Sequence, residues 1–362
     1  MEQDNSCLFV FHNNTITIIN FKKSTFNSIL MGVMNMRLQA QGGYMKSKYF
    51  MKRIVIAVPT FFGITILVYF LASLAPGSPL DAFMKDPRIT ADELARLKIS
   101  LGLDKPVYVQ YWNWLRNLLH GNLGYSFSGQ RPVFNIIKER IGATALLAAS
   151  SIVLSLVISV PLGVLAASKP KSKRDYGSSI LSMLMMATPN FFIGLILIYF
   201  VSVKMKLLPS SGMYDANGTK NVFMLLRHMI LPCLVLSFQQ IGNWVRHMRS
   251  GLLEVLTEDY IRTARAKGLS KWKVIWKHGF KNAFIPVLTV IGMSVPTLIG
   301  GAVVTEQLFG WQGLGSLMIS AINARDYPVI MGTTVVISVI ILLVNILTDI
   351  AYGCLDPRIT YK

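Results

Sequence analysis

Residues 257–286 read TEDYIRTARAKGLSKWKVIWKHGFKNAFIP. The segment is strongly basic, with Arg262, Arg265, Lys267, Lys271, Lys273, Lys277 and Lys281 set against Glu258 and Asp259, yet it lies between two long apolar runs. On charge alone it is a solvated cytoplasmic loop that obeys the positive-inside rule. It carries more order than such a loop needs. Thr257 is placed to cap a short helix, with Glu258 and Asp259 in the first turn, where the helix dipole favours acids. Gly268 ends that helix, because glycine enters the left-handed conformation without steric cost. Ser270 is placed to cap a second helix, on which Trp272, Ile275 and Trp276 fall at helical spacing with lysines on the other faces. Helix, glycine turn and helix, followed by Asn282-Ala283-Phe284-Ile285-Pro286 at the start of the next apolar run, have the form of a docking device.

The flanking chain is that of a membrane protein. Of 362 residues, 52% are hydrophobic, and several apolar runs exceed the roughly 20 residues that cross a bilayer. The formal charge of +19 would suit a nucleic-acid partner, but the basic residues sit in short clusters beside the apolar runs, which is a topological pattern. No nucleic acid is therefore expected. Cys7, Cys233 and Cys354 lie far apart and form no CxxC, so neither a disulfide framework nor a metal site is implied.

Residues 1–44 fit nothing downstream and lack the basic start and apolar core of a signal peptide. They are expected to be an extension that is disordered or lies upstream of the true start, at Met45 or Met51. Gln41-Gly42-Gly43 can be encoded by a sequence containing a bacterial ribosome-binding site, and a peptide from residues 1–44 in the native protein would refute this. The remaining boundaries are 45–75 for a first span, 76–140 for an extracytoplasmic helical segment, and 141–362 for a membrane core carrying the cytoplasmic loop 254–286. Spans are expected at Ile54–Leu74, Thr144–Ala167, Ser178–Val203, His228–Val245, Phe284–Val304 and Val329–Tyr352. Thr90-Ala91-Asp92-Glu93 reads as a capping box. The third span is interrupted at Thr188-Pro189-Asn190, where a kink is the favoured reading and a pathway-facing role for Thr188 or Asn190 the other. Gln239, Gln240 and Asn243 give the fourth span a polar stripe that must face protein or a wet cavity. Glu306 falls just outside the fifth span. Asp349, near the inner end of the last, either pairs with the basic loop or reaches the headgroups.

Arg262-Thr263-Ala264-Arg265-Ala266-Lys267-Gly268-Leu269 resembles the coupling (EAA) loop of ABC-importer permeases, in the wording of the oligopeptide/dipeptide/nickel branch (OppB/DppB-like). Arg262 stands where the general pattern has an acid. Leu101-Gly102-Leu103-Asp104-Lys105-Pro106, Gly121-Asn122-Leu123-Gly124, Phe309-Gly310-Trp311-Gln312-Gly313-Leu314-Gly315 and Leu355-Asp356-Pro357-Arg358-Ile359 resemble the same branch, so the likeness runs from Met51 to the C-terminus.

The resemblance implies an all-α integral membrane protein with six transmembrane helices, in the type I ABC importer (MetI-like) permease fold. It implies a bacterial inner-membrane location with both termini cytoplasmic. The partners would be a homologous second permease subunit, two ATP-binding subunits or domains, an extracytoplasmic substrate-binding protein and the lipid bilayer. Di- and oligopeptides are the favoured cargo, with nickel or a nickel chelate as the alternative. Coupling would rest on Arg262, Thr263, Ala264, Gly268, Leu269, Trp272, Ile275 and Pro286. Leu269, Trp272 and Ile275 would supply apolar contact to the ATPase. Thr188, Asn190, Gln239, Gln240 and Asn243 are the candidates for the pathway or its gate. The chain has no GxxxxGK[ST] loop, so ATP and Mg are expected on partner subunits, with no cofactor, metal or catalytic residue here. An integral membrane enzyme would need convergent acids or HExxH, and none appears. An ATP-independent secondary carrier would need ionisable residues midway through the spans, which are nearly bare of them.

Overall fold

A computed structural model describes residues 5–12, 15–22, 55–74, 80, 90–215 and 221–355. The chain divides into two units, Met1–Val58 with Pro357–Lys362, and Pro59–Asp356. In the first, β1 (Asn5–His12) and β2 (Thr15–Lys22) pair antiparallel, with Asn5 opposite Lys22 and His12 opposite Thr15. This hairpin lies in the extension expected to be disordered. Its alternating β-branched and aromatic residues suit an extended backbone.

Every other regular element described is helical. Among the described residues five helices are long and apolar enough to cross a membrane, and there are six if a helix pair bent at a short break is counted as one span. They are α1 (Val55–Leu74), α4 (Val133–Ser168), the pair α5 (Lys173–Ala187) and α6 (Asn190–Lys204), α7 (Val222–Val255), α9 (Lys271–Leu308) and α11 (Tyr327–Leu355). Several run past their expected ends. α4 begins at Val133 rather than near Thr144, because polar residues flanking an apolar band can continue the same helix.

The segment between α1 and α4 holds α2 (Ala91–Ser100) and α3 (Val107–Leu119). The capping box is made as expected: Thr90 Oγ1 accepts from the Glu93 amide at 3.3 Å, and the Glu93 carboxylate accepts from the Thr90 amide at 2.8 Å. Tyr111 and Trp114 of α3 pack on Tyr69 of α1, with ring centroids 5.5 and 6.3 Å away. These rings of α3 therefore pack on the chain's own α1.

The centre of the bundle is the α4–α7 pair. Ser151, Ser155, Ser159 and Gly163 recur every fourth residue on α4, and all are buried. Small residues let the backbones approach closely. A Cβ on Gly163 would lie 2.6 Å from Met248 Cβ. Hydroxyls stitch the seam: Ser237 Oγ donates to the Ser151 carbonyl at 3.1 Å and to the Cys233 carbonyl at 2.6 Å.

The break between α5 and α6 bends the third span by 99°. Thr188 is extended (φ −89, ψ 125), as the residue before a proline prefers, and Pro189 has no N–H with which to continue the ladder.

Candidate functional site

The inner end of α7 passes into α8 (Asp259–Ala266). The N-cap is Glu258 rather than Thr257, whose hydroxyl donates back to the Glu254 carbonyl at 2.7 Å. Gly268 then takes φ +76, and an added Cβ would meet nothing within 4 Å. The glycine is required by the backbone conformation alone. Ser270 precedes α9 without a side-chain cap bond.

One face of this elbow is anchored. Ile261, Ala264 and Val274 are buried together, with Val255, Leu256 and Leu269 packed around them. Asn282 Nδ2 donates to the Tyr260 hydroxyl at 2.8 Å, tying α8 to α9. Val274–Gly279 forms a π-helical turn that directs Val274, Ile275 and Gly279 inward. Ile275, 1% exposed, lies in a core cluster with Val164, Met248, Leu252 and Ala283. This corrects its expected place on a partner surface: the wider π turn shifts the face that a regular helix would present. Ala264 is likewise buried and Leu269 half-buried. The outward face carries Arg262, Thr263, Arg265, Lys267 and Trp272, the last 49% exposed. Pro286 does not end the helix but lies within α9.

At the bend, Gln239 Nε2 donates to the Thr188 carbonyl at 3.2 Å, while the Thr188 hydroxyl donates to Leu184 O at 2.7 Å. Asn190 Oδ1 is buried without a hydrogen-bond partner. Gln240 and Asn243 are half-buried farther along α7. The fold thus brings Thr188 and Gln239 together, with Asn190 beside the break, and gives Gln239 a structural task there. Close packing holds the arm in place, since a Cβ on Gly242 would lie 2.7 Å from the Ser182 carbonyl oxygen.

Two further constellations had no sequence-level signal. At the end of the bundle that carries α8, Asp175 of α5 is buried and forms a bidentate ion pair with Arg249 of α7, one contact being Nη2 to Oδ2 at 2.9 Å. Asp175 also accepts from the Lys171 amide at 2.9 Å. At the opposite end, Glu306 is fully buried. It accepts from Thr144 Oγ1 at 2.6 Å and from the Gly315 and Ser316 amides at 2.8 and 3.0 Å. Those amides open α10 (Leu314–Ala324), where a carboxylate is favoured. A Cβ on Gly313 would sit 2.2 Å from the carboxylate. Asp326 ties the outer loop to the start of α11 by accepting from the Phe127 and Ser128 amides at 3.1 and 3.2 Å. The side chain of Asp349 lies outside the described residues.

Residues 159–361 match the family described as "Binding-protein-dependent transport system inner membrane component", and residues 46–148 match its N-terminal counterpart. The chain is 43% identical over 314 residues to the oligopeptide transport system permease protein AppB of Bacillus subtilis, covering 86% of this chain and 99% of that protein. It is 38% identical over 336 residues to the dipeptide transport system permease protein DppB of Escherichia coli K12, covering 87% and 99%. A chain of the MetNI methionine ABC transporter in an inward-facing conformation superposes with a TM-score of 0.50 at 19% identity, covering 62% of this chain and 97% of that one.

Proposed function

Since the chain belongs to the binding-protein-dependent inner-membrane component family and is a multi-pass ABC-transporter permease, we propose that it forms half of the translocation path of an ATP-driven importer of di- and oligopeptides. The cargo reading rests on the peptide permeases it is similar to, which also disfavour the nickel alternative. Specificity is expected to reside mainly in the extracytoplasmic binding protein that delivers the peptide.

The observation that carries the mechanism is the elbow at Gly268. Its outward face, Arg262 to Lys267 with Trp272, enters a groove of an ATP-binding subunit. Its inward face, Ile261, Ala264 and Val274, is fused to the inner ends of α7 and α9. Closure of two ATP-binding subunits around ATP and Mg then moves a rigid lever. The basic residues set orientation and encounter rate, and Trp272 adds the apolar anchor. On this reading the chain itself supplies no catalytic residue, cofactor or metal, and ATP and Mg are bound by the partner subunits. The Asp175–Arg249 pair passes the motion to α5, and through the Gln239-braced bend to α6. A homologous second permease subunit covers the half-buried polar residues Gln240 and Asn243 and completes the path. Both termini are cytoplasmic in this arrangement.

The test is ATP hydrolysis by the reconstituted complex of this chain with the neighbouring permease, ATPase and binding-protein gene products. Stimulation is expected with peptide-loaded binding protein. Stimulation by nickel-loaded protein alone would replace the cargo, and failure to assemble with any ATPase would overturn the coupling reading.

A further inference from the structure

The first turns of α9 carry a pattern that membrane topology does not require. An aromatic residue is followed by a lysine three times at four-residue intervals: Trp272-Lys273, Trp276-Lys277 and Phe280-Lys281. The run passes through the π turn at Val274–Gly279, where one turn takes slightly more than four residues, so four-residue spacing still keeps these positions near one face. The aromatic members continue as a ladder, with Trp276 5.1 Å from Phe280, and Phe280 stacked at 24° on Phe284 5.2 Å away. Lys273, Lys277 and Lys281 are all exposed, and among the described residues none makes an ion pair. No Asp or Glu occurs between residues 260 and 305. The opposite side, Val274, Ile275, Gly279 and Ala283, is packed into the bundle.

Depth follows from length. The 38 residues of α9 span ~57 Å at the α-helical rise, against a hydrocarbon core of about 30 Å. The apolar stretch from Phe284 onward occupies the core, which leaves Trp276 to Lys281 at headgroup depth and Lys273, about one turn below, within reach of the same phosphates through its long side chain. Aromatic rings settle at that level, and lysine stems run along apolar surface to place their ammonium groups at phosphates. Three aligned lysines beside an aromatic ladder complement the anionic surface of the cytoplasmic leaflet.

We infer that this face is a binding site for an anionic phospholipid of the inner leaflet. Lys273, Lys277 and Lys281 hold the headgroup phosphate, and the Trp276–Phe280–Phe284 ladder lies along the acyl chain. The site adjoins the elbow face but is separate from it: Arg262 to Lys267 lie on α8 and its turn, and Trp272, the anchor assigned to the ATP-binding subunit, precedes Lys273 and stands outside the Trp276–Phe280–Phe284 ladder. The inference rests on the cytoplasmic placement of this stretch but not on the cargo or the ATPase contact. Its consequence is that the lever is held to the membrane surface at one end while the ATPase moves the other.

The experiment uses the full chain with its partner subunits in vesicles of phosphatidylcholine, into which equal fractions of brominated phosphatidylglycerol or brominated phosphatidylcholine are mixed. Bromine quenches tryptophan at contact, and the Trp276 signal is the difference between wild type and W276F. Stronger quenching by the anionic lipid is expected, corresponding to a preference of roughly fivefold per lysine engaged at low salt. It should fall towards parity in K273Q/K277Q/K281Q and persist in the corresponding arginine variant. Equal quenching by both lipids, or a preference that survives the glutamine substitutions, would overturn the site. So would loss of ATPase co-purification by the glutamine variant with its lipid preference unchanged, since the face would then belong to the protein partner. Peptide-stimulated hydrolysis is scored separately, so that an error in the cargo reading leaves the lipid result intact.

Discussion

Replacement of Gly268 isolates a single physical quantity. The residue sits at φ +76, and no atom lies within 4 Å of a Cβ built on it. A substituted side chain therefore meets open space, and the cost comes from the left-handed backbone. For an ordinary L-residue that cost is roughly 1–2 kcal/mol, lower for asparagine and higher for a β-branched residue. Gly268→Asn should be nearly silent. Gly268→Ala should shift the elbow by about 1 kcal/mol and Gly268→Val by about 2–3 kcal/mol. At 1.4 kcal/mol per factor of ten, the valine variant holds the native elbow roughly 30- to 100-fold less favourably relative to alternative turns. Because the buried contacts of Ile261 and Val274 remain, the protein should still reach the membrane in normal amount. The assay compares peptide uptake and cargo-stimulated ATP hydrolysis, each normalised to membrane level, across the three variants. The expected order is asparagine, alanine, valine, with uptake failing before membrane level. Normal uptake by the valine variant, or an asparagine variant as impaired as valine, would refute the assignment of function to the dihedral.

Trp272→Asp should release the ATPase on detergent extraction with the permease retained, whereas Ile275→Asp should reduce the amount of folded permease itself, because Ile275 is 1% exposed inside the chain's own core. Pull-down and membrane immunoblotting separate the two. Asp175→Asn should destabilise the inner end by about 2–3 kcal/mol, below the value for a wholly buried pair because the Arg249 side chain is 28% exposed. An Asp175→Arg/Arg249→Asp exchange should recover part of the loss in thermal unfolding, and a double mutant no better than either single would reject the pair as the cause. At the start of α2, hydrogen bonds from the Thr90 backbone and then its side chain hold the Glu93 carboxyl below its ordinary pKa. Such a group stabilises the α2 N-terminus fully above its unfolded pKa and loses that contribution as pH falls through the depressed folded value. Protection of the first α2 amides against hydrogen exchange, taken relative to the intrinsic rate at each pH, should therefore fall on acidification, and Glu93→Gln should remove the dependence.

Features governed by neighbours in sequence were legible before the fold was known. The capping box at Thr90 and Glu93, the break at Thr188-Pro189 and the left-handed turn at Gly268 depend on local backbone chemistry. The apolar bands located the spans, although α4 and α7 extend beyond them. What escaped depends on long-range juxtaposition. Glu306 looked isolated, because its partners are a threonine far upstream and two backbone amides that point at it only once α10 has formed. Asp175 and Arg249 sit in separate basic clusters with nothing in either to mark the other. Ile275 was assigned outward because a regular 3.6-residue period was assumed, and the π turn broke that period. Gln239, expected to face protein or a wet cavity, meets the chain itself at the bend, a partner that only the fold brings within reach.

The bent third span also constrains how the protein is made. Its first arm, α5, has 15 residues and its second arm is of similar length, so each reaches only ~22 Å and cannot cross a core of about 30 Å alone. During synthesis the two arms leave the ribosome well before Gln239, the residue that covers the open carbonyl between them. Until α7 emerges, the nascent segment has no stable way to lie in the lipid. Insertion of residues 173–204 must therefore be completed jointly with α7, as one helical hairpin. A nascent chain halted before Gln239 should leave this segment open to aqueous thiol reagents at engineered cysteines, and one extended past Val255 should close it.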